Sequence, residues 1–137
     1  MNPQNSTDEY LLLIRGTHWN HGMSPAELQR VMTEFYGWVE GLSKAGIHRG
    51  AQPLMEEGKR VTGAGGRTVT DGVFAESKEA IAGYFLLAVD SMDTAVRHAQ
   101  ACPILAYGAE IEVRPVADLC RPMAEVNVHF RPASEGS

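Results

Sequence analysis

The chain has 137 residues, a formal net charge of −5, 44% hydrophobic and 21% charged residues. That is enough for one domain around one core, and the acidic balance without a Lys/Arg cluster argues against direct nucleic-acid binding. No apolar run approaches the roughly 18 residues of a membrane span, nothing near the start reads as a secretory leader, and two cysteines, Cys102 and Cys120, make no disulfide framework, so cytoplasmic residence is the expectation.

Residues 1–8 are polar and read as a loose N-terminus. Glu9 to Arg15 reads as a strand with apolar residues on both faces, the pattern of a central strand covered on both sides. Gly16 to Met23 is a loop holding His18, Trp19 and His21. Ser24 then announces a helix, with Pro25 at its first position and Glu27 completing a Ser-x-x-Glu capping box. Leu28, Val31, Met32, Phe35, Val39, Leu42 and Ala45 form its apolar stripe, and Gly46 stops it. Ile47 to Leu54 is extended. Lys59 to Thr62 and Arg67 to Thr70 flank Gly63-Ala64-Gly65-Gly66, the composition of a hairpin.

Asp71-Gly72 reads as a turn, because Gly accepts positive φ and Asp bonds its own backbone. Phe74 reads as a core anchor, and Glu76 to Ala82 as a short helical piece. Gly83 to Val89 is a strong strand. Ser91 caps a second helix, Met92 to Ala101, which Pro103 prevents from continuing. Ala109 to Val113 is the last core strand. Glu125 to Arg131 alternates as an extra edge strand would, within a C-terminal arm over 117–137.

This order predicts an α+β, ferredoxin-like βαββαβ domain over 9–116 with an inserted hairpin. Both helices should cover one face of the sheet. A second copy is expected to cover the other, giving a homodimer, since Leu11, Leu13 and the strand from Tyr84 to Val89 carry apolar residues on both faces.

The chain resembles the YCII-related family, in particular its DGPF-domain branch. The resemblance rests on Tyr10-Leu11-Leu12-Leu13-Ile14-Arg15-Gly16, the Ser24-Pro25 helix start, Phe35-Tyr36-Gly37-Trp38, Asp71 to Glu79, Gly83-Tyr84-Phe85 and Glu112-Val113-Arg114-Pro115. Val73 stands where the branch has proline. The resemblance implies a ferredoxin-like fold assembled as a dimer of the α/β-barrel kind, with a pocket near strand ends. It implies no single function, although one related branch contains a dehydrochlorinase that uses a His-Asp pair.

Two functions follow as expectations. The first is binding of a small molecule, an anion among the candidates, near the dimer interface. Arg15 and Arg114 close the first and last core strands, and with Lys78 and Glu76 they would surround the ligand. The second is a lyase or hydrolase using Asp71 with His18 or His21 as acid–base pair. The rival roles are an Asx turn for Asp71 and an Arg114–Glu112 or Arg114–Glu76 ion pair. His18-x-x-His21 lacks further ligands, so no structural metal is expected. The absence of a P-loop or a Gly-x-Ser-x-Gly elbow leaves no implied organic cofactor.

Overall fold

The computed structural model describes residues 8–73, 80–118 and 122. Strand β1 (Asp8–Arg15) leads through a loop to helix α1 (Pro25–Lys44) and then to β2 (His48–Pro53). A hairpin of β3 (Glu57–Thr62) and β4 (Thr68–Val73) follows. The chain continues through β5 (Ile81–Val89), α2 (Met92–Gln100), a 3-10 helix (Pro103–Tyr107) and β6 (Glu110–Pro115). The main sheet has the order β2-β5-β1-β6 and is antiparallel throughout. Two helices and this strand order are compatible with the ferredoxin-like plan.

Helix α1 begins as its sequence dictates. Ser24 is extended at φ −70°, ψ 160°, and its Oγ accepts from the Glu27 N–H at 3.1 Å. Glu27 Oε1 accepts in return from the Ser24 N–H at 3.0 Å. The two bonds satisfy donors that the first turn cannot pair internally. Ala45 caps the other end, and Gly46 follows at φ 77°. Val31 and Leu42 of the expected stripe are buried, whereas Ala45 is exposed. The buried stripe therefore ends at Leu42, one position short of the expected Ala45.

Period-two alternation decides what β1 buries. Tyr10, Leu12 and Ile14 join Phe85, Leu87 and Val89 of β5 in one core cluster, with Val31 and Leu42 of α1 and Ala95 and Ala99 of α2. Both helices therefore cover the same face. Leu12, Leu42, Leu87 and Val31 are the large side chains most completely buried, each contributing roughly 1.5–3 kcal/mol of transfer free energy. Leu11, Leu13 and Arg15 alternate to the opposite face, across from Leu86, Tyr84 and Ile81 on β5.

Two sequence expectations change here. Asp71-Gly72 is no turn: both residues lie within β4, where Asp71 pairs Lys59 and Gly72 pairs Gly58. The turn is made instead at the hairpin tip, where Gly63, Gly65 and Gly66 have φ of 87°, 72° and 66°. Ile81 and Ala82, expected to finish a helical piece, begin β5. The expected positions of Phe74, Glu76, Lys78, Glu79 and Cys120, and the edge strand from Glu125 to Arg131, lie outside the described residues. Cys102 is a free, buried thiol.

Gly83 has a steric role. A Cβ there would come within 2.8 Å of the Gln52 carbonyl oxygen and 3.2 Å of the Pro53 Cα. Only glycine lets β2 approach β5 so closely at the Pro53–Gly83 pair.

Candidate functional site

An apolar pocket of about 280 Å³ opens on the helix side of the sheet. Helix α1 forms one wall with Met32, Phe35, Tyr36 and Val39. The ends of β2 and β5 form the floor, from Ala51 to Pro53 and from Ala82 to Phe85. Ile14, Trp19 and Ile104 close it from β1, the loop after β1 and the 3-10 helix. The Gln52–Tyr84 pair alternates away from the helix face, so its contribution is main chain rather than side chain.

Aromatic packing fixes the walls. Phe35 and Phe85 meet edge to face at 6.0 Å, and Phe35 and Tyr36 do the same at 6.0 Å. Trp38 packs edge-on against Phe85 at 5.1 Å and donates from Nε1 to the His98 carbonyl at 2.9 Å. That bond satisfies the indole donor and ties α1 to α2 behind the pocket. Trp19 reaches the pocket from its loop and lies 6.5 Å from Tyr107.

The residues expected to form a polar site go elsewhere. Arg15 donates from Nε and Nη2 to Glu112 Oε1 at 3.0 and 2.7 Å. Arg114 Nε stands 4.0 Å from the other oxygen of the same carboxylate. Strands β1 and β6 are antiparallel, so their C-terminal ends lie at opposite ends of the pair: Arg15 is opposite Glu110, and Arg114 is opposite Leu11. The two guanidinium groups are linked through Glu112, on the face away from the helices. Asp71 forms an exposed ion pair with Lys59 on the hairpin. His18 and His21 stack with ring centroids 4.2 Å apart and planes 16° from parallel. None of these residues lines the pocket, and Lys78 and Glu76 lie outside the described residues. Among the described residues no group of three or more His, Cys, Asp or Glu side chains is arranged to hold a metal ion.

The sequence pattern puts Phe35 on the core stripe without marking the cavity between that stripe and the sheet. Two signals pointed to it. Phe35-Tyr36-x-Trp38 puts three aromatics within one turn, more than one core stripe accommodates. Gly83 interrupts an otherwise apolar strand, which marks a close approach of backbone.

The YCII-related domain family matches residues 9–119 of the chain. Among curated proteins, nothing matches it.

Proposed function

The chain belongs to the YCII-related family, and from that premise we propose that it is a small-ligand-binding protein whose ligand occupies the apolar pocket beneath α1. The carrying observation is a cavity of about 280 Å³ bounded by five elements and the loop after β1. Ligand sites are generally concave, mostly apolar and lined by aromatics. The arginines of the open sheet face support ligand capture less well, because Glu112 already stands between them.

We also propose that the protein is a homodimer joined through the sheet face opposite the helices. Leu11, Leu13, Tyr84 and Leu86 lie together there, half-buried, bordered by Arg15, Glu112 and Arg114. The pocket is on the other side of the sheet, so ligand binding does not require the second copy to supply a wall.

The test is a thermal-shift screen over acids, bases, alcohols and neutral aromatics, run on the wild type and on Ala51→Leu. The leucine would fill the pocket floor. A ligand present at 100 times its Kd stabilises by about 2.7 kcal/mol, so genuine ligands raise the melting temperature of the wild type and leave the filled variant unmoved. Absence of any shift, or equal shifts in both proteins, refutes binding in this pocket.

A further inference from the structure

We propose that the pocket selects neutral two-ring aromatic molecules over their carboxylate analogues and over linear aliphatic molecules of similar size; this rests on the binding role argued above.

Size sets the first limit. An apolar cavity of about 150 Å³ takes one benzene ring. A volume of about 280 Å³ is close to twice that, which matches two fused rings or one ring with short substituents. Shape sets the second. The floor at Ala51, Ala82 and Gly83 is made of small residues on a strand pair, which leaves a flat surface. Trp19, Phe35, Tyr36 and Phe85 stand around it from the loop, the helix and the sheet. A planar ligand meets both ring faces and ring edges in such a slot, the arrangements that aromatic pairs favour. A flexible chain would lose rotamer freedom on entering, with no such contacts in return.

Charge sets the third limit. Among the described residues lining the pocket there is no Asp, Glu, Lys, Arg or His. The ionisable neighbours in sequence are directed elsewhere: Arg15, beside Ile14, bonds Glu112, and His18, beside Trp19, stacks on His21, while Glu34, beside Phe35, pairs Arg30 and Glu40, beside Val39, pairs Lys44. An anion entering would give up its hydration with no cation among the described lining residues to receive it. Tyr36, 63% exposed, stands at the mouth, where a ligand hydroxyl can remain in contact with water.

Isothermal titration with 2-naphthol, 2-naphthoate and 1-nonanol at pH 7 tests the proposal on wild type, Ala51→Leu and Ala82→Leu, with circular dichroism to establish which variants fold. The expected result is measurable 2-naphthol binding. Affinity for 2-naphthoate should be at least about tenfold weaker, a difference readily resolved in Kd, and that for 1-nonanol several-fold weaker. Whichever filled variant folds should lose at least about tenfold in 2-naphthol affinity. The proposal is overturned if 2-naphthoate or 1-nonanol binds as tightly, if none of the three binds, or if a folded filled variant binds 2-naphthol unchanged. In the first two cases the thermal-shift screen still decides independently whether the pocket binds another class of ligand.

Discussion

Ser24 shows how one side chain can govern a long helix. Its hydroxyl and the Glu27 carboxylate exchange two bonds with the backbone at the start of α1. Ser24→Ala should cost about 1 kcal/mol, measured by urea denaturation at pH 7. The bonds from Ser24, its backbone N–H first, hold the Glu27 carboxyl below the usual carboxylate range. Glu27 therefore contributes its full share of stability above its unfolded-state pKa and loses it as pH falls through the lower folded value. The penalty of Glu27→Ala, which removes the titrating acceptor, should accordingly shrink in acid, and a Glu27→Ala penalty independent of pH would exclude the carboxylate's bond to the Ser24 N–H as its source. Cys102 behaves oppositely. Burial pushes its thiol up to about 11, so the native state favours the protonated form. Its contribution is complete below the ordinary thiol pKa and declines as pH rises from there towards 11. At pH 8 the folded protein should resist alkylation at Cys102, and addition of urea should release it. Peptide mass mapping would check this, and rapid native labelling at Cys102 would contradict its burial.

At the scale of elements, local signals were legible and directions were not. Ser24-Pro25-x-Glu27 and Ser91 marked both helix starts, because caps act within four residues. Asp71-Gly72 misled, because a turn dipeptide can also sit in a ladder when its partners are Lys59 and Gly58. Arg15 and Arg114 both close strands, but only the antiparallel pairing reveals that those ends point apart. The pocket draws its walls from five elements and a loop, and no local pattern encodes that meeting. The hairpin's Lys59–Asp71 pair is exposed on both sides. Exposed ion pairs contribute little, so Lys59→Ala should change global stability by less than about 0.5 kcal/mol. A loss above 1 kcal/mol in chemical denaturation would mean that the hairpin is coupled to the core.

At the scale of the molecule the main sheet has two faces, the pocket on the helix side and the half-buried Leu11, Leu13, Tyr84 and Leu86 cluster on the other. A monomer has mass 14.9 kDa, and light scattering at micromolar concentration should return about twice that for a closed two-fold assembly. Leu86→Lys should return the monomer mass while 2-naphthol titration remains as in the wild type; a monomeric wild type would dispose of the dimer. The hairpin, meanwhile, leaves the sheet through the Pro53–Gly83 pair and the last backbone bond, from Leu54 N–H to the Ala82 carbonyl. Chain added at its glycine tip lies beyond that clamp and leaves the strand register untouched. Lengthening a loop costs only about 0.6 kcal/mol per doubling. The tip is therefore a port for a genetically inserted reporter, anchored through β2 to the floor of the pocket, so that occupancy could be read as an optical signal.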